Sequence, residues 1–137
     1  MLRDRVRDYY LVKDNNCAET ILHAINDEYQ LNIPEESFKL IGGFGAGLGC
    51  GKTCGALCGC IAALGRMTLS ERAHATPDFK EHCAALVEKF NEKLGDTECS
   101  ALTEKYKKED TRCLDTVLMA ADVFEEFLKE LPAKSGT

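Results

Sequence analysis

Eight cysteines in 137 residues are a large supply of thiol, and their placement decides what chemistry they can do. Four of them, Cys50, Cys54, Cys58 and Cys60, lie in Gly42–Gly65, GGFGAGLGCGKTCGALCGCIAALG, which also holds most of the glycines. A glycine run this dense gives up backbone entropy and side-chain packing. It is expected where the chain takes unusual dihedrals or where something approaches the backbone closely. From Thr53 onward, Ala56, Leu57, Ile61, Ala62, Ala63 and Leu64 read as a short apolar helix with Thr53 as N-cap, which places Cys54 in the first turn. A thiol there sits among unpaired N–H groups at the positive end of the helix dipole, and the expectation is a thiolate, with Lys52 as a further positive charge nearby. Gly51, Gly55 and Gly59 recur every four residues as one smooth stripe, and Cys50, Cys54 and Cys58 form the stripe beside it.

The elements that must carry these thiols are all helical in pattern. Leu2 to Val12 reads as a helix broken by Asn15-Asn16. Asn16 then caps a second helix, with Glu19 three residues on completing a capping box, and the apolar face is Ile21, Leu22, Ala24, Ile25 and Tyr29. Cys17 is its first residue, the same electrostatic setting as Cys54. Pro34-Glu35-Glu36 opens a short third helix through Phe38, Leu40 and Ile41. After the Thr53–Gly65 helix and a polar connection, Thr76-Pro77-Asp78 starts a long one whose stripe is Phe79, Cys83, Leu86, Val87, Phe90 and Leu94, closed by Gly95. Asp96 to Leu102, with Cys99, reads as a turn, and Lys105–Glu109 as a charged linker. The last helix starts near Asp110-Thr111, takes Cys113 into its first turn and runs through Val117, Leu118, Ala121, Phe124, Leu128 and Leu131 to Pro132. No alternating or β-branched run and no repeat is present. The expected fold is all-α, a single-domain bundle (1–137) of five or six helices with a glycine-rich loop before a short central Cys-bearing helix.

The totals narrow the chemistry. The formal charge is −6, with Lys and Arg scattered among the acids and no basic stripe, so nucleic acid is not an expected partner. No apolar run approaches the ~20 residues of a membrane span, and MLRDRVRDYYLVKD lacks an apolar signal-peptide segment. A cytoplasmic location is expected. In a reducing compartment, metal, cluster or redox chemistry gains over a structural disulfide framework. The plainer account of Cys17, Cys54 and Cys113 is that they are ordinary buried cysteines at helix junctions.

The chain resembles the small redox-active proteins named for their C_GCAxxG_C_C cysteine pattern. Those have an early lone Cys, a CGAxxG segment after a glycine-rich stretch, and two further cysteines; here these are Cys17, Cys54-Gly55-Ala56-Leu57-Cys58-Gly59, Cys99 and Cys113. The resemblance covers nearly the whole chain. It implies a four-cysteine redox site of Cys17, Cys54, Cys99 and Cys113, without naming a substrate, and Cys50, Cys58, Cys60 and Cys83 are additions to the pattern.

Four such sulfurs can ligate an iron–sulfur cluster, form exchangeable disulfides with Cys54 as nucleophile, or hold a structural zinc as a Cys₄ site. Zinc lacks its usual tight Cys-x₂-Cys knuckles. The glycine stripe, Gly51, Gly55 and Gly59, would let a partner helix or a bulky inorganic centre lie against the backbone, and it permits a homodimer. Cys50 and Cys58 line the site or resolve a mixed disulfide, whereas Cys60 and Cys83 are core. The non-redox alternative is a structural metal-binding or interaction module, and the redox reading calls for a redox partner protein. Ala46–Thr53 matches a relaxed phosphate loop, but no strand precedes it and no magnesium-holding strand follows, which sets nucleotide binding aside. His23, His74 and His82 are surface or core histidines, and Tyr9-Tyr10 carries no signal of its own.

Overall fold

A computed structural model of the protein describes residues 1–131. Six α-helices, α1 (Leu2–Arg7), α2 (Cys17–Tyr29), α3 (Gly55–Thr68), α4 (Phe79–Leu94), α5 (Cys99–Tyr106) and α6 (Leu114–Glu130), are joined by a ten-residue 3-10 segment, Glu35–Phe44. The described residues thus contain seven helical elements of six residues or more, against the five or six expected, and no strand. The extra element is α5, where a turn and a charged linker were expected. The last helix ends at Glu130 with Leu131 as its C-cap, and Pro132, expected to follow it, lies outside the described residues.

One apolar core runs through all the longer helices, from Leu2 and Val6 through Ile21, Ile25, Leu64, Leu86 and Phe90 to Val117 and Phe124, each at most 1 % exposed. Burying a side chain of this size contributes about 1.5–3 kcal/mol, so the helices are held by packing far more than by local propensity. The α2–α3 contact matters most for the thiols. A Cβ on Gly59 would fall on the Ile21 side chain and 2.9 Å from the Ala18 carbonyl oxygen, so the two backbones cross at a distance only glycine allows.

Two local devices place the ends of those helices. At the start of α2 the Asn16 side chain accepts from the Glu19 N–H at 2.9 Å, and the Glu19 carboxylate accepts from the Asn16 N–H at 2.9 Å. That is the capping box expected from sequence. The Asn16 amide also donates to the Gly42 carbonyl at 3.0 Å, tying the cap to the glycine run.

At the start of α3, Thr53 and Glu98 form an isolated antiparallel bridge. The Cys54 N–H donates to the Thr97 carbonyl at 2.8 Å and the Cys99 N–H to the Lys52 carbonyl at 2.6 Å. The beginning of α5 is thereby clipped to the beginning of α3. Between Ala46 and Gly51 the chain runs almost entirely through positive φ, at Ala46 (55°), Gly47 (60°), Leu48 (63°), Gly49 (76°) and Gly51 (78°). Here the glycine density is the price of a coiled turn.

Candidate functional site

Cys17, the first residue of α2, puts its sulfur into the space in front of Gly55, the first residue of α3. A Cβ on Gly55 would stand 2.6 Å from Cys17 Sγ and 2.7 Å from the Phe44 carbonyl oxygen. Cys54 immediately precedes Gly55 as the N-cap residue and is 4 % exposed; its side chain makes no capping hydrogen bond, but the nearby Leu57 and Ala56 backbone amides favour its ionised form. Cys99 opens α5, and its position is fixed from two sides. The bridge to Lys52 holds its backbone, and a Cβ on Gly47 would come within 2.5 Å of Cys99 Cβ. Cys113 is the N-cap residue of α6, and its N–H donates to the Tyr10 hydroxyl at 3.1 Å. Cys17, Cys99 and Cys113 open into one cavity of about 240 Å³, whose wall also holds Tyr10, Lys107 and Arg112. Arg112 lies over the Tyr10 ring at 4.6 Å and donates to the Tyr10 carbonyl at 3.3 Å. Nothing near this tyrosine in the sequence singles it out, since its two partners lie more than a hundred residues away.

The charge state of these thiols is a correction. Cys54 and Cys113 were expected to be thiolates, with the helix dipole as the cause, but at both of them burial overrides it. Desolvation pushes Cys54 up to about 12, against the two N–H donors that favour its ionised form. Cys99 and Cys113 are also raised, by burial first and then by the neighbouring Cys17 thiol; Lys107 partly offsets this at both, and the Tyr10 hydroxyl does so at Cys113. Cys17 is the common neighbour, close enough to Cys54, Cys58, Cys99 and Cys113 to raise each of them.

The two stripes expected on the central helix separate in the structure. Gly51 lies in the turn before α3 rather than on it, with Ser100 as its neighbour, so only Gly55 and Gly59 share the helix. Both are buried, Gly55 against Cys17 and Phe44 and Gly59 against Ile21 and Ala18, so here the close approach they allow is to elements of the same chain. Cys50 is an exposed loop residue whose thiol donates to the Gly47 carbonyl at 3.8 Å. Cys58, half-buried in α3, lines a different hollow of about 580 Å³, almost wholly apolar, beside Phe44, Leu57 and Ile61. Cys60 is buried with its thiol directed at the Ala120 carbonyl, and Cys83 packs against the core, both as expected. Lys52 is exposed, and the fold uses its backbone. His23 is sandwiched between the rings of Tyr9 and Phe38, at 4.7 and 3.7 Å.

Among the described residues, no three His, Cys, Asp or Glu side chains are placed to hold a metal ion. No helix among the described residues is long and apolar enough to cross a membrane.

Comparison with known proteins gives one match. The model of the family described as "Putative redox-active protein (C_GCAxxG_C_C)" matches residues 15–127, from just before Cys17 to beyond Cys113. No curated protein and no solved structure matches the chain. With the four pattern cysteines inside the matched span, the chain belongs to this C_GCAxxG_C_C family.

Proposed function

We propose that the protein carries out two-electron thiol–disulfide exchange through Cys17 and the cysteines around it. The observation that supports this reading is the position of Cys17 Sγ, which lies against the first residue of α3, one residue beyond Cys54, and opens into the cavity shared with Cys99 and Cys113. A thiol with several thiol neighbours has a resolving partner at hand, which exchange requires. Oxidation removes two hydrogens from two thiols and forms one S–S bond. The pair then accepts two electrons and two protons when it is reduced again. Because burial keeps Cys54, Cys99 and Cys113 protonated near neutral pH, the reduced form gains little from thiolate stabilisation. The couple is therefore poised as a reductant, the opposite of disulfides whose reduced thiolates are stabilised.

A second reading, an iron–sulfur cluster on Cys17, Cys54, Cys99 and Cys113, draws support from the Leu57 and Ala56 backbone amides near Cys54, which favour its ionised form. Such donors are what cluster thiolates use. Anaerobic purification followed by iron, sulfide and thiol analysis separates the two. Exchange predicts a colourless, iron-free protein that loses two titratable thiols on mild oxidation and regains them on reduction. A brown protein with iron and acid-labile sulfide would establish the cluster instead.

A further inference from the structure

The cavity shared by Cys17, Cys99 and Cys113 has an electrostatic character at odds with the rest of the chain. The protein carries 23 acidic against 17 basic residues, yet the charged residues lining this cavity are two bases, Lys107 and Arg112, and no acid. Among the described residues no carboxylate pairs with the Lys107 ammonium. Its backbone N–H closes the end of α5 on the Thr103 carbonyl, which fixes where the side chain starts. Arg112 is held by Tyr10 on one side, through the ring at 4.6 Å and the carbonyl at 3.3 Å. Its carboxylate partner, Asp14, stands off at 3.7 Å and is 86 % exposed. A guanidinium has five N–H donors in a rigid fork, so these contacts leave donors free.

Resting on the thiol–disulfide reading above, we infer that this cavity takes small disulfides carrying negative charge, such as those bearing carboxylates, with Lys107 and Arg112 as the anion-recognising pair. A volume of about 240 Å³ admits a small reactant. The same positive charges favour ionised Cys99 and Cys113, and Arg112 the latter only, so they assist the attacking sulfur as well as the approach of the substrate. The step is closed in atoms and electrons. A cysteine thiolate of the cavity attacks one sulfur of the substrate disulfide, forming a mixed disulfide and releasing one substrate thiolate. A second cysteine attacks the protein sulfur of that bond, forming the protein disulfide and releasing the second. The protein loses two electrons, the substrate gains them, and the two thiol protons end on the released thiols.

The test is the rate at which the fully reduced, full-length protein is oxidised by three disulfides of similar size at low ionic strength: dithiodiglycolate (anionic), bis(2-hydroxyethyl) disulfide (neutral) and cystamine (cationic). The expected result is that the anion outpaces the cation by about tenfold or more, as steering by local charge permits. In the wild type that ratio should shrink toward one as salt is added. In Lys107→Glu and in Arg112→Gln, the ratio of anionic to neutral rate should fall severalfold. Equal rates for the three probes at low salt, or a ratio indifferent to both substitutions, would overturn this inference and leave exchange itself standing. Failure of all three probes to oxidise the protein would overturn the exchange reading and this inference with it.

Discussion

Cys17 Sγ and Gly55 share a space that holds only one of them: a side chain on residue 55 would begin 2.6 Å from that sulfur. The glycine of the CGA segment is thus the partner of the early cysteine, nearly forty positions away. This relationship places Cys17 at the junction of α2 and α3, where one sulfur can address its neighbours on both.

Gly55→Ala should therefore strike the site as well as the fold. Helix propensity favours alanine by about 1 kcal/mol, but neither the Phe44 carbonyl oxygen nor Cys17 can retreat without moving its own element. The net expectation is a loss of about 1–3 kcal/mol in a denaturant titration. It should come with faster alkylation of Cys17 as its sulfur is displaced. An unchanged alkylation rate would mean that the contact is not formed.

Gly59→Ala serves as a comparison that spares the thiols. The new methyl would meet the Ile21 side chain and the Ala18 carbonyl, so a similar cost of about 1–3 kcal/mol is expected. Cysteine reactivity at Cys17 should change far less than in Gly55→Ala.

Stability should fall on the alkaline side. In the unfolded chain Cys54 titrates at 9.0, and in the folded chain burial holds it up to about 12. Between these values the folded state keeps a proton that the unfolded state has released. The contribution is fully present below pH 9 and is lost as the pH rises toward 12. Cys58, Cys60, Cys83, Cys99 and Cys113 shift in the same direction and steepen the fall. Denaturant midpoints measured from pH 8 to 11 should decline, and more gently in Cys54→Ala. A flat profile would show that these thiols are more hydrated than the packing indicates.

Tyr10→Phe removes the acceptor for the Cys113 N–H at the start of α6. The expected cost is about 1 kcal/mol in stability. Cys113 should also become a weaker acid, because the Tyr10 hydroxyl is one of the contacts that ease its ionisation. The pH dependence of Cys113 alkylation would report this as a shift to higher pH.

What the sequence disclosed was local in range. The Asn16–Glu19 box, the Phe79–Leu94 stripe and the closing Gly95 are set by residues within a few turns of one another, and all three are found. Helix α5 escaped notice because it is only eight residues long and Leu102 is its one buried residue, too short a stretch for an apolar period to stand out. The four-cysteine pattern came with the family resemblance, whereas the geometry that unites its members did not. The clip between Thr53 and Glu98 and the contact from Cys113 to Tyr10 join segments with no sequence signal in common. The thiolate expectation failed for a related reason. A helix terminus is visible in sequence, but the burial that outweighs it at Cys54 depends on how distant helices pack.

The most direct measurement is peptide mapping of the protein after mild oxidation, with free thiols blocked before digestion. Exchange through the common neighbour predicts one dominant disulfide joining Cys17 to Cys54, Cys99 or Cys113, and no thiol loss under the same treatment in Cys17→Ser. Eight blocked cysteines after oxidation, or a bond that leaves Cys17 free, would contradict it.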